Sequence, residues 1–154
     1  MIRLCLAALV MALLGTLAFA APAAALSGSA PTIPKTALIQ PEEFAASLKA
    51  GDKPAVLQVG FKKMFDEAHI PGAVYAGPGN KDDGIAALKA VAQSLDKTKP
   101  LVIYCGCCPW DHCPNVAAAW RTLSEMGFTH LKVLYIANNF GADWAEKGYP
   151  VVHG

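Results

Sequence analysis

The sequence predicts an α/β domain with a mainly parallel sheet. Short apolar runs alternate with amphipathic helical segments from residue 36 to the end of the chain. This alternation is typical of parallel sheets, because each crossover helix returns the chain to the start of another strand. The most strand-like run is Leu101–Tyr104, followed by a loop rich in turn residues and then by a helical pattern. Ligands of parallel sheets meet the carboxyl ends of strands, so Cys105 is expected at the functional edge.

The first half of the domain is predicted to hold three strands and two helices. Short apolar runs predict strands at residues 37–39, 55–59 and 73–75. Pro41 occupies a helix-start position with acidic residues in the first turn, and Gly51 ends that helix. A second, short helix is predicted around residues 62–67.

The second half is predicted to hold two strands and three helices. Asp82 or Asp83 is expected to cap the first of these helices. Residues 131–135 form the second strand after the 101–104 run, and a closing helix is expected around residues 140–147. The apolar residues of the first two helices recur at helical spacing: Leu88, Val91, Ala92 and Leu95 in one, and Val116, Ala119, Trp120 and Leu123 in the helix that begins near Asn115.

Residues 1–25 have the three-part pattern of a secretory signal peptide. Arg3 provides a basic start, an uncharged apolar run follows, and small residues predict cleavage after Ala20 or Ala25. The alternative is a retained membrane anchor, but the apolar run is shorter than the ~20 residues that a spanning helix needs. We therefore expect a flexible linker at residues 26–35 and one domain at residues 36–154. The mature protein is expected to be periplasmic or secreted, with no stable membrane span after cleavage.

The charge balance argues against a nucleic-acid partner. The chain has 13 basic and 12 acidic residues. Removal of Arg3 with the signal peptide makes the two numbers equal, so the mature chain is formally neutral. A basic surface of the kind that binds phosphate backbones is therefore not expected. The sequence leaves the oligomeric state open.

The cysteines are concentrated in one loop. Cys5 lies in the predicted signal peptide, and the other four of the five cysteines lie between Cys105 and Cys113. Export implies an oxidising compartment, in which clustered cysteines tend to pair as disulfides. Four cysteines allow three pairings, and the sequence does not choose among them.

Three motifs in order resemble those of a rhodanese-like domain. They are HIPGA at residues 69–73, an apolar strand ending in Cys105, and a closing W-x3-G-x-P-V that begins at Trp144. The resemblance covers about residues 36–151. It implies a five-stranded, mainly parallel sheet flanked by helices. It also implies a sulfurtransferase that carries sulfane sulfur as a persulfide on Cys105, with a small sulfur donor and a thiol acceptor as partners and no cofactor.

Three departures separate this chain from the usual family pattern. Gln58-Val59-Gly60 stands where the family usually has Asp-Val-Arg. The active loop is longer than usual and contains neither Arg nor Lys, and it carries three further cysteines. These changes put thiosulfate, a dianion, in doubt as the substrate.

The loop residues suggest separate roles around the nucleophile. Gly106 permits a tight turn with positive φ, which helps to aim successive amides at an anionic sulfur. The helix start is expected to lower the pKa of Cys105. Cys107, Cys108 and Cys113 are candidate resolving thiols. Trp110 is a candidate wall of the pocket, and His112 is a candidate acid or base. Cys108 is also the nearest rival of Cys105 as nucleophile. For Trp110 the alternative is packing that stiffens the loop, and for His112 it is a solvated side chain. Asp111 is a possible helix cap.

Two alternatives use the same loop without sulfurtransferase turnover. One is a thiol-disulfide module, since Cys105 and Cys108 form a C-x-x-C pair. The other is a metal-binding module for Zn²⁺ or Cu(I) that uses the cysteines and His112. Structural zinc sites usually draw ligands from two separated segments, whereas here all of them crowd one loop. The sequence therefore assigns no metal.

Overall fold

The computed structural model describes residues 32–154. The predicted signal peptide and residues 26–31 of the predicted linker lie outside the described residues. Their boundaries therefore stay predictions. Within the described part, no helix is both long enough and apolar enough to cross a bilayer.

Five parallel strands form one sheet. In chain order they are β1 (Leu38–Ile39), β2 (Ala55–Gln58), β3 (Ala73–Tyr75), β4 (Leu101–Tyr104) and β5 (Leu131–Leu134). Their spatial order is β1-β5-β4-β2-β3, and every pair is parallel. This confirms the expected five-stranded parallel sheet.

Four α-helices connect the strands: α1 (Pro41–Ala50), α2 (Lys62–Glu67), α3 (Asp82–Ala92) and α4 (Pro114–Glu125). Short helical turns occur at Lys35–Ala37 and Trp110–His112 (3₁₀) and at Gly141–Ala145 (π). Gly51 ends α1 with a φ of 99°, as its position in the sequence predicts.

The sheet is covered on both faces, which explains its largely apolar strands. Leu57 and Ile103 face one side and pack with residues of α3 and α4. Their neighbours Val56 and Val102 face the other side and pack with α1 and the C-terminal segment around Trp144. All four residues of β4 are buried, because β4 lies between β2 and β5. The residue after β4 is thus fixed at the centre of the sheet edge.

Two details of the predicted elements are wrong. Lys81, not Asp82 or Asp83, is the N-cap of α3, and the two acids lie in the first turn. There they favour the helix through its dipole, and Asp83 Oδ1 also accepts from the backbone N–H of Gly84 at 2.8 Å. The closing helix is shorter than predicted and has π geometry.

Candidate active site

The cysteine loop links the end of β4 to the start of α4. Cys105 follows β4 directly and is only 3% exposed. Gly106 has a φ of 73°, which confirms the predicted turn. A Cβ at this position would lie 2.8 Å from the Cβ of Phe140, whose N–H donates to the carbonyl oxygen of Gly106 at 2.9 Å. The loop ends at Cys113, which is the N-cap of α4.

This path brings three sulfur atoms into one cluster. The Sγ atoms of Cys105, Cys107 and Cys113 all lie within 4.8 Å of one another. The Sγ atoms of Cys105 and Cys107 are 2.9 Å apart, and that of Cys108 lies 3.3 Å from Cys107 Sγ. All four loop cysteines are free thiols in the structure, so the expected disulfide pairing stays a prediction.

Asn115 holds the cluster together, and sequence reasoning missed this role. Its side chain is buried, and its Nδ2 donates to the Sγ atoms of Cys105 and Cys107 at 3.3 and 3.5 Å. Its Oδ1 accepts from the backbone N–H of Asn80 at 3.1 Å. Gly79 allows the close approach, since a Cβ there would lie 2.2 Å from the carbonyl oxygen of Asn115. The only available signal was a polar residue in the first turn of α4.

The thiolate of the cluster belongs to Cys113 rather than to Cys105. The Cys105 thiol, whose sulfur lies within 4.8 Å of Cys113 Sγ, lowers the pKa of Cys113 to about 6, helped by the backbone N–H groups of Val116 and Asn115 at the start of α4. The proximity of Cys113, followed by burial, raises the pKa of Cys105 above its ordinary value. The prediction that the helix start lowers the pKa of Cys105 is therefore wrong. The helix N-terminus acts on its own N-cap instead.

Cys108, the alternative candidate for the nucleophile, is a weak thiol acid. Burial, followed by hydrogen bonding to Cys107, raises the pKa of Cys108 to about 12. Its Sγ donates to the carbonyl oxygen of His112 at 3.7 Å. Cys108 therefore holds its proton at neutral pH.

Gln58 and Gly60, at the end of β2, complete the surroundings of Cys105. Gln58 is 2% exposed, and its Nε2 donates to the carbonyl oxygen of Cys105 at 3.3 Å. Its Oε1 is buried without a hydrogen-bond partner among the described residues. A Cβ on Gly60 would lie 3.1 Å from Cys105 Sγ. The departure from the usual Asp-Val-Arg thus leaves space beside the sulfur.

A cavity of about 170 Å³ lies against Cys105 at the edge of the sheet. Apolar side chains form most of its wall, among them Met64 and Phe140. Gln58 and Glu67 are the polar side chains on it. Of the described residues, no Lys or Arg lines this cavity.

The other predicted loop residues lie away from this cavity. The ring of Trp110 packs on that of Tyr135, with centroids 5.0 Å apart. The backbone N–H of Trp110 donates to the carbonyl oxygen of Ala137. This geometry favours the packing role over that of a pocket wall. His112 and Asp111 are exposed, and α4 is capped by Cys113 rather than by Asp111. His112 stands apart from the three-sulfur cluster.

The HIPGA turn and the closing tryptophan motif, which are far apart in the sequence, stabilise the fold around the site. His69 forms a 2.8 Å hydrogen bond between its Nδ1 and the carbonyl oxygen of Phe65, in keeping with a structural turn histidine. Trp144 is fully buried, and its Nε1 donates to the carbonyl oxygen of Pro150 at 2.8 Å. A backbone bridge between His69 and Val152 joins the two motifs.

With the fold and the site defined, comparison with known proteins identifies the class. The sequence profile of the rhodanese-like domain matches residues 40–139. The chain therefore belongs to the rhodanese-like family. No curated protein matches it.

Solved structures agree on the fold. The Alr3790 protein from Anabaena is 21% identical with a TM-score of 0.59, and the alignment covers 75% of this chain and 91% of that one. The BH2092 protein from Bacillus halodurans is 23% identical with a TM-score of 0.58, covering 75% of each chain. The 3-mercaptopyruvate sulfotransferase SseA from Escherichia coli is 14% identical with a TM-score of 0.55, covering 77% of this chain and 52% of that one. At these identities, the comparison establishes the shared fold.

Proposed function

We propose that this domain is a sulfurtransferase that carries sulfane sulfur as a persulfide on Cys105. The observation that carries the proposal is the position of Cys105 Sγ within 4.8 Å of Cys113 Sγ, and this neighbouring thiol lowers the pKa of Cys113 to about 6. Cys105 also lines the cavity at the sheet edge, so its sulfur is the one that a small donor in that cavity would meet. A nucleophile paired with an adjacent base is the general pattern of covalent catalysis.

In the first step, Cys113 acts as the base. The proton of Cys105 moves to the Cys113 thiolate as Cys105 Sγ attacks the outer sulfur of a donor persulfide, R–S–S⁻. The donor S–S bond breaks, and its electron pair leaves with R–S⁻. The Cys105 persulfide that forms carries its negative charge on the outer sulfur, and the amide of Asn115, which donates to Cys105 Sγ at 3.3 Å, is the side-chain donor beside it.

In the second step, an acceptor thiolate attacks the outer sulfur of the Cys105 persulfide. The new S–S bond forms on the acceptor, and the electron pair of the old bond returns to Cys105, which recovers its proton from Cys113. No electrons are gained or lost overall, so no cofactor is required.

The donor is expected to be a persulfide or polysulfide rather than thiosulfate. Glu67 lines the cavity and its carboxylate is paired with Lys63 at 3.8 Å, whereas no Lys or Arg of the described residues lines the cavity itself. A charge-assisted contact contributes roughly 1.5–3 kcal/mol, or about ten- to a hundredfold in rate at the transition state. Lacking such a contact, the protein should turn over thiosulfate weakly.

Intact mass spectrometry and donor kinetics test the proposal. The reduced, metal-free protein, pulsed with a persulfide donor, should gain the mass of one sulfur atom and lose it on addition of an acceptor thiol. Steady-state rates should favour persulfides over thiosulfate by at least tenfold. Absence of the added sulfur with every donor contradicts the function. Equal rates with both donors contradict only the donor class.

The close approach of Cys105 and Cys107 favours a second candidate, a thiol-disulfide module. Their Sγ atoms are 2.9 Å apart, so loss of two electrons and two protons to an external disulfide would join them. Such a protein would lose two hydrogens in mass when treated with a mild disulfide oxidant, and it would gain no sulfur from a persulfide. These two mass changes distinguish the candidates.

A further inference from the structure

We propose that Cys105, Cys107 and Cys113 also form a three-sulfur binding site for Cu(I). The inference rests on the positions of these sulfurs and of the groups around them, and it does not depend on sulfur transfer. Cys105 is held at the end of β4, and Cys113 is held at the first turn of α4. Two ligands on separate rigid elements make a site that is largely formed before a metal arrives.

The distances suit one soft metal ion bound in a plane. A metal about 2.3 Å from each of three thiolates, the usual zinc–thiolate length, separates the sulfurs by about 4 Å. In the structure, the three Sγ atoms lie within 4.8 Å of one another, and the shortest distance is the 2.9 Å between Cys105 and Cys107. Side-chain adjustments of about 1 Å therefore convert the cluster into a trigonal site.

The donor set selects Cu(I) over Zn²⁺. Thiolates favour both ions, but structural Zn²⁺ sites are almost always four-coordinate. Two candidates for a fourth ligand stand outside the group of three: Cys108, whose Sγ lies 3.3 Å from Cys107 Sγ, and His112. Cys108 donates its thiol hydrogen to the carbonyl oxygen of His112, and the His112 side chain is exposed. Three soft ligands without a fourth match a monovalent d¹⁰ ion.

The groups behind the sulfurs are suited to bound thiolates. The Asn115 amide donates to Cys105 and Cys107, and the carbonyl oxygen of that amide is itself fixed by the N–H of Asn80. Such outer hydrogen bonds orient metal ligands, and their loss typically costs ten- to a hundredfold in affinity. In the described part of the chain, no carboxylate joins the three-sulfur group.

Binding replaces protons and excludes the persulfide. One Cu(I) takes the place of the protons still held by the three thiols and leaves all three as thiolates, without any change of oxidation state. Cys105 Sγ is then unavailable for attack. The copper-loaded protein should accordingly take up no sulfur.

The test is a titration of the reduced, metal-free protein with Cu(I) under anaerobic conditions, in competition with a coloured Cu(I) chelator. We expect one Cu(I) per chain and X-ray absorption that reports three sulfur neighbours. Cys105→Ser, Cys107→Ser and Cys113→Ser should each weaken binding at least tenfold. Cys108→Ser is the matched control in the same loop and should keep the stoichiometry and the affinity.

Three results would overturn the inference. They are failure of the wild-type protein to withdraw Cu(I) from the chelator, a fourth sulfur in the absorption spectrum, and a Cys108→Ser variant as weak as Cys113→Ser. The sulfur count comes from the wild-type protein, so it stands even where a serine variant folds poorly. Sulfur uptake is not a readout here, so the result is independent of the proposed function.

Discussion

Two neighbouring thiols, Cys105 and Cys113, divide the chemistry of the site at the scale of residues. The neighbouring Cys113, followed by burial, raises the pKa of Cys105, whereas Cys105 and then the backbone N–H groups at the start of α4 stabilise the thiolate of Cys113. A thiolate beside a buried thiol is a base placed next to a nucleophile. The proton moves at the moment of attack, so the buried nucleophile need not carry a permanent charge.

Sulfur uptake should follow the titration of Cys113. Because the pKa of Cys113 is lowered to about 6, its thiolate is present above that pH and is lost as the pH falls through it. Initial rates of sulfur loading should therefore rise to a plateau with a midpoint near pH 6. In Cys113→Ser, the rate at neutral pH should fall on the order of a hundredfold, as expected when a general base is lost. It should then keep rising into the alkaline range. An unchanged pH profile in that variant would show that Cys113 is not the base.

Gly60 should be sensitive to the smallest enlargement. A Cβ there lies 2.8 Å from Gln58 Nε2 and 3.1 Å from Cys105 Sγ. Overpacking of this kind costs about 1–3 kcal/mol, so Gly60→Ala should lower the free energy of unfolding by that amount in urea denaturation. Sulfur loading should also slow, since Cys105 is displaced. Unchanged stability together with unchanged loading would mean that the space beside the sulfur is not required.

The identity of the reactive cysteine was more accessible to sequence reasoning than its electrostatics. Cys105 is marked by the strand that precedes it, because the end of a buried strand can be located from apolar residues alone. The lowered pKa was misassigned because it depends on which thiol is the N-cap of α4. That is decided by the 3₁₀ turn at Trp110–His112. The pattern of loop residues does not show this turn.

At the scale of elements, α4 and the segment after β3 are joined through one side chain. Asn115 accepts from Asn80 on that segment and donates to the sulfurs of the cysteine loop. The cysteine loop and the distant segment after β3 thus both depend on the first turn of α4.

Asn115→Ala should therefore affect both stability and sulfur loading. It leaves the buried N–H of Asn80 without its partner, a loss of about 1–3 kcal/mol, and it removes a donor from Cys105. Gly51→Ala is a control of similar cost, roughly 1 kcal/mol or more from its φ of 99°, far from any other group. Urea denaturation should show both losses, while mass spectrometry should show slower loading only for Asn115→Ala. Equal loading in the two variants would reduce Asn115 to a purely structural residue.

The strands and helices were predictable wherever periodicity was strong. The bounds of α2 and the glycine end of α1 match the prediction, since local sequence determines them. The cap of α3 was mispredicted because two successive acids and a preceding lysine compete for one position. Trp144, in the π turn, packs against Phe44, which lies far earlier in the chain, and local periodicity does not show this contact.

At the scale of the whole molecule, the family and the fold could be predicted from motifs spread over the chain. The geometry of the site depends on contacts between residues distant in sequence, which the motifs do not show. HIPGA at residues 69–73 and the closing motif that begins at Trp144 are far apart in the sequence, yet a bridge between His69 and Val152 joins these parts of the chain. Gln58 was recognised only as a departure from the family pattern. Only the structure shows that its Oε1 is buried without a hydrogen-bond partner among the described residues.

Export is predicted from the N-terminal sequence. The basic start, the apolar run and the small residues before position 26 should direct cleavage after Ala20 or Ala25. N-terminal sequencing of protein from a periplasmic or culture fraction should find one of these two new termini. A chain that begins at Met1 and remains with the membrane fraction would contradict the prediction.

Intact mass spectrometry of single Cys→Ser variants, pulsed with a persulfide donor, tests directly whether Cys105 carries the persulfide. We predict that Cys105→Ser takes up no sulfur. We predict slow loading for Cys113→Ser and full loading with an altered persulfide lifetime for the Cys107 and Cys108 variants. Thermal unfolding verifies that each variant is folded. If Cys105→Ser still gains one sulfur atom while another of the variants gains none, the persulfide resides on a different cysteine and the account is contradicted.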